Sequence, residues 1–142
     1  MQQNLIFALH GFLGQGSDWA SVQAQTDESI TWMAPDLFSS SSLDIVDFDS
    51  YVEQLMEKYN TVTTSPNFQK KIFVGYSLGG RLGMHLLKKY ADRFDQFVFV
   101  SAHPGLRVAN EKIERIASDL MWASTIQLQS WALLFQQWND HA

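Results

Sequence analysis

Residues 70 to 80, KKIFVGYSLGG, carry an apolar run into a turn holding three glycines, and residues 81 to 90 leave that turn at helical spacing. A short apolar run bounded by glycine reads as a strand buried on both faces. A helix directly after it takes the chain back across the sheet, so the next strand pairs in parallel. The same alternation recurs along the chain. NLIFALH (4–10) stops at a glycine, ITWMAP (30–35) is closed by Pro35, and QFVFVSAH (96–103) is a further buried-type run. Between them DFDSYVEQLMEKYN (47–60) places Phe48, Val52, Leu55, Met56 and Tyr59 on one helical face. Asp47 and Asp49 stand at its start, where the helix dipole favours acids. The helix after the glycines ends near KKYADRF, its lysines close to the C-terminal end. The expected class is α/β, a parallel sheet with flanking helices.

The tail departs from this rhythm. Asn110 is placed to cap a helix with Ile113, Ile116, Ala117 and Leu120 on its apolar face. Ser124 or Thr125 is placed to cap another carrying Leu128, Trp131, Leu134, Phe135 and Trp138. No strand is expected after either. The chain therefore divides into a core segment, 1–109, and a helical segment, 110–142. No repeat or linker is visible, and Ser39 to Ser42 read as a short loop.

Composition narrows the function classes. With 142 residues, 46% hydrophobic and 18% charged, the chain suits one globular domain. No apolar run approaches the roughly 18 residues of a membrane span. The first residues lead straight into a strand without a basic region or small-residue cleavage site, so a cytoplasmic protein without membrane contact is expected. The absence of cysteine excludes disulfides, thiolate metal sites and a thiol nucleophile. A net charge of −5 argues against nucleic acid, whose phosphates require a basic face.

Gly75-Tyr76-Ser77-Leu78-Gly79 has the form G-x-S-x-G at a strand-to-helix turn, the setting in which a serine is presented at the top of a sheet as a nucleophile. Neighbouring chain passes close to such a serine, which is why glycines flank it at two residues' distance. At the head of a helix, the Leu78 N–H and the dipole stabilise negative charge on a substrate oxygen. A glycine-rich turn with an idle serine, or a phosphate cradle, is the plainer reading, but G-x-x-x-x-G-K-[ST] is absent. His10-Gly11-Phe12, after the first strand, offers a second oxyanion N–H from Phe12. Its glycines at 11, 14 and 16 do not spell the dinucleotide pattern. Asp36 reads as a structural loop acid, and His10 and His103 as loop-fixing hydrogen bonders rather than bases.

Taken together, GYSLGGR, HGFLG and HPGL resemble the α/β-hydrolase superfamily and, within it, the MenH family of 2-succinyl-6-hydroxy-2,4-cyclohexadiene-1-carboxylate synthases in menaquinone biosynthesis. The resemblance runs from about residue 5 to 139. It implies a lyase on a hydrolase scaffold, removing pyruvate from a succinylated enolpyruvyl cyclohexene carboxylate after loss of a proton alpha to the succinyl ketone. It implies Ser77 as the catalytic serine, Phe12 and Leu78 as oxyanion-hole donors, and Tyr76, Arg81, Arg115 and Trp138 as substrate contacts, with neither cofactor nor metal. A small polycarboxylate suits arginine, whose planar fork takes carboxylates two bonds at a time. Arg81 stands one turn after Ser77; Arg115 alone reads as a solvated-face residue, and Trp138 as a packing residue.

In α/β-hydrolases the acid and the histidine follow the serine on loops after later strands. His85, on the helix after the serine, and His141, near the last residue, match neither position. The sequence is therefore expected to be the N-terminal part of such an enzyme, truncated after the first lid helices and impaired alone. Its exposed sheet edge is expected to favour self-association. An esterase or thioesterase of the same fold, and a non-catalytic truncated domain, are the alternatives.

Overall fold

The computed structural model describes residues 3–38 and 47–141, apart from the side chains of Asn139 and His141. The serine tract at 39–42 lies outside the described residues. Four strands, β1 (Gln3–Leu9), β2 (Ile30–Met33), β3 (Phe68–Tyr76) and β4 (Gln96–Val100), form one sheet in the order β2-β1-β3-β4. Every pairing is parallel. The helices are α1 (Ala20–Gln23), α2 (Phe48–Lys58), α3 (Asn60–Thr63), α4 (Leu78–Tyr90), α5 (Ala109–Leu128) and α6 (Trp131–His141).

Burial follows position in the sheet. In central β1, Phe7, Ala8 and Leu9 are successive and fully buried, so both faces are covered. β4 alternates instead, and its Val98 and Val100 are exposed. The apolar run 96–103 thus reads as a doubly buried strand in sequence but forms an edge strand among the described residues. A strand with a neighbour on one side has fewer side chains to cover it.

α2 and α4 pack on one another and share one core: Val52, Leu55 and Met56 of α2 are buried with Leu82 and Leu86 of α4 around Phe73. The cap of α2 is Asp47, whose carboxylate accepts a 2.8 Å hydrogen bond from the Ser50 N–H. That bond and the Ser50 hydroxyl hold the Asp47 carboxyl below the ordinary carboxylate range. Tyr51 donates its hydroxyl to the Leu37 carbonyl at 2.6 Å, tying α2 to the segment after β2. Burial raises its pKa to about 12.

The chain forms two compact units, Met1–Pro104 and Gly105–Ala142, dividing at 104/105 where the sequence reading placed 109/110. In the second unit the helix boundaries differ from expectation. α5 begins after Val108 and continues unbroken to Leu128. Ser124 and Thr125, read as caps, lie inside it and donate their hydroxyls to the carbonyls of Leu120 and Met121. A serine or threonine satisfied by the carbonyl four residues back has no need to end a helix. The break comes at Gln129, which is extended (φ −114°, ψ 160°), and Leu134 N–H then donates to the Ser130 carbonyl.

Candidate active site

Ser77 joins β3 to α4 with φ 49° and ψ −109°, a left-handed conformation that side chains other than hydrogen rarely adopt. It is held there from both sides. Ser77 N–H donates to the Val100 carbonyl at the end of β4 at 2.9 Å, and Gly79 N–H donates to the His10 carbonyl after β1 at 3.1 Å. The closeness accounts for both motif glycines. A Cβ on Gly75 would lie 2.5 Å from the Gly79 oxygen, and one on Gly79 would lie 2.3 Å from the Leu9 oxygen. Neither is a distance that backbone tolerates.

Leu78 is the first residue of α4, so its N–H has no acceptor within the helix and faces the end where the dipole is positive. Phe12 sits in the turn after β1, which Gly14 N–H closes onto the Gly11 carbonyl at 3.1 Å. His10 fixes this turn from beneath. Its buried ring places Nδ1 2.7 Å from the Gly11 carbonyl, and its Nε2 accepts from Leu37 N–H at 2.9 Å. That pattern requires the neutral tautomer with the proton on Nδ1, and it leaves neither nitrogen for proton abstraction. Asp36 is likewise structural, its carboxylate accepting from Gly16 N–H.

Tyr76 lies over Gly11: its Cδ1 is 2.9 Å from where a Cβ on that glycine would stand, and the same Cβ would be 3.6 Å from the Ser77 Cβ. Phe12 and Phe38 meet edge to face at 6.2 Å. All three aromatic rings are exposed. Phe38 was not identified from sequence, because a single phenylalanine in a loop carries no periodic signal. Arg81 begins the next turn, its N–H donating to the Ser77 carbonyl at 3.0 Å. Its guanidinium lies over the Phe48 ring, Cζ 4.9 Å from the centroid, and forms no ion pair among the described residues.

The first unit therefore brings Phe12, Tyr76, Ser77, Leu78 and Arg81 together. Arg115 and Trp138 belong to the second. Arg115 Nε is 2.7 Å from Asp119 Oδ1, one helical turn along exposed α5. The Trp138 ring meets Trp122 edge to face at 4.9 Å. His85 pairs with Asp49 of α2, Nδ1 to Oδ1 at 2.6 Å, and not with the serine. Among the described residues no His, Asp or Glu side chain hydrogen-bonds Ser77, and no cluster of three or more His, Asp or Glu is arranged to hold a metal. No helix among them is long and apolar enough to cross a membrane.

A serine held at a positive φ between a strand of a parallel sheet and the head of a helix is the arrangement of the α/β hydrolase fold family, and the chain belongs to it: the family model matches residues 4–128. Within that family it is similar to 2-succinyl-6-hydroxy-2,4-cyclohexadiene-1-carboxylate synthase of Escherichia coli, 31% identical over 136 residues that cover 94% of this chain and 52% of the relative. The Shigella sonnei protein of the same name is 32% identical over the same shares. Among solved structures, MenH from S. aureus superposes with a TM-score of 0.83 at 20% identity, over 97% of this chain and 52% of that one. A marine microorganism esterase reaches 0.70 at 17% identity, over 100% of this chain and 56% of that one, which shows shared fold alone. The chain spans about half the length of these relatives.

Proposed function

We propose that residues 1–142 carry the serine and oxyanion half of a MenH-like lyase, acting on 2-succinyl-5-enolpyruvyl-6-hydroxy-3-cyclohexene-1-carboxylate. The ring proton at C2, alpha to the succinyl ketone, is removed, and the ketone oxygen takes up the charge. The double bond shifts from C3–C4, the C5–O bond breaks, and the leaving enolpyruvate becomes pyruvate after protonation. The product is the 2,4-diene. In this reading the amides of Phe12 and Leu78 hold the enolate oxygen, worth about 3 kcal/mol of barrier per donor. Tyr76 and Arg81 hold the substrate beside Ser77, and the resemblance to the family is what supports Arg115 and Trp138 as further substrate contacts.

One observation carries the reading: an arginine with no acidic partner among the described residues stands one turn after a serine on a strained turn. A neutral ester has no use for that cation; a polycarboxylate does. The names of the curated relatives support the same choice. Because Ser77 has no base among the described residues, turnover by this chain alone is expected to be lower by about 10³-fold or more than in a chain supplied with one.

The test is pyruvate release, read by coupled lactate dehydrogenase, for the chain alone and for a fusion to the remaining half of the Escherichia coli relative. Ser77→Ala and Arg81→Met are the controls. We expect Ser77-dependent release from the fusion, with Arg81→Met raising KM. A fusion that cleaves p-nitrophenyl esters rapidly and releases no pyruvate would favour an esterase instead.

A further inference from the structure

Three basic residues, Arg81, His85 and Lys89, occur at four-residue intervals on α4 and form one stripe facing the first turns of α2. Two of them meet carboxylates. His85 Nδ1 lies 2.6 Å from Asp49, and Lys89 Nζ lies 2.6 Å from Glu53 and 3.7 Å from Asp49. Among the described residues Arg81 meets a ring instead, its Cζ 4.9 Å from the Phe48 centroid. The difference is chemical. A carboxylate consumes the in-plane N–H donors of a guanidinium, whereas a ring that meets it plane to plane engages its face and leaves the five donors at the edge available.

Phe48 is itself fixed. The residue before it caps α2, the residue after it pairs with His85, and its ring meets the His85 ring edge to face at 5.4 Å and 80°. Arg81 is half-buried with its guanidinium against this surface, so its long side chain loses much of its rotamer freedom before a ligand arrives.

We propose that Phe48 is a positioning residue: its ring holds the Arg81 guanidinium by the face and keeps the N–H edge open for a substrate carboxylate. The inference rests on the reading of Arg81 as a carboxylate partner, and predicts that an aromatic ring, rather than an apolar side chain of similar volume, is required at position 48.

The Arg81 side-chain Nε–H resonance of the 142-residue chain, assigned by its loss in Arg81→Lys, is followed by NMR during titration with succinate. In the wild type it should move with saturation. Phe48→Tyr should bind within about two-fold of wild type, and Phe48→Leu and Phe48→Met should weaken binding by about five-fold or more. Both apolar variants should lose the upfield ring-current displacement of that resonance, a readout that packing alone would not move. The backbone amide spectrum identifies any variant that has lost its fold, and of the two apolar variants the folded one decides. Wild-type affinity in a folded apolar variant overturns the positioning role and leaves Arg81 as a ligand. If succinate leaves the wild-type Arg81 resonance unmoved, the carboxylate role of Arg81 fails and the role of Phe48 with it.

Discussion

Ser77 stores strain that its side chain does not relieve. At φ 49° and ψ −109°, the cost belongs to any Cβ at that position, and it is maintained by the hydrogen bonds to Val100 and His10 on either side of the turn. Alanine keeps the Cβ and therefore the strain; glycine removes both. Ser77→Ala should leave stability within about 0.5 kcal/mol of wild type. Ser77→Gly should be more stable than Ser77→Ala by about 1 kcal/mol, after the extra entropy of glycine in the unfolded chain is subtracted. Urea midpoints of the two variants decide it, and a glycine variant less stable than the alanine one would show that the turn is relaxed. This residue was legible in sequence because its geometry is local: two glycines and a serine within five positions state where backbone must pass close by. The Arg81–Phe48 contact was not legible. The two residues lie in separate helices, and only tertiary packing chooses a ring rather than an acid as the neighbour of that arginine.

Between elements, the α2–α4 stripe makes stability depend on acid pH. The Asp49 carboxyl is held below its ordinary value of 3.8, first by the hydrogen bond with His85 and then by the charge of Lys89. A depressed carboxyl pKa means that the unfolded chain binds the proton more readily. Its contribution is therefore fully present above the ordinary value and is lost as pH falls through the lower, folded one. Asp49→Asn should be less stable than wild type at pH 5, and the gap should narrow steadily below pH 4. Equal gaps at pH 5 and pH 2.5, measured by chemical denaturation, would detach Asp49 from the acid response. Element boundaries show what patterns conceal. Asp47 was readable as a cap because an acid before an apolar stripe has one good use there. Ser124 and Thr125 were not, since a hydroxyl bonds as well to the preceding turn as to a free N–H, and the sequence does not say which it will choose.

At the scale of the molecule, alternation of strands and helices indicated a parallel sheet, but neither the β2-β1-β3-β4 order nor the exposure of β4 was written in any one segment. Those depend on which strands neighbour which, and so on contacts distant in sequence. The core that results is centred on Phe73, fully buried in β3, with the rings of Phe97, Phe94 and Phe99 at 5.5, 5.8 and 6.4 Å. Phe97 and Phe99 stand on the edge strand and are only half-buried, so water can reach a cavity made there. A cavity at Phe73 would be dry and walled by rigid sheet. Phe73→Ala should therefore cost about 3–5 kcal/mol, a large share of the roughly 5–15 kcal/mol that holds an ordinary domain together. Phe97→Ala should cost less, on the order of 1–2 kcal/mol, because less surface is removed from a covered site. Urea unfolding followed by circular dichroism measures both. Equal losses would mean that β4 is as well covered as β3, and that the sheet does not end where its exposed valines place the edge.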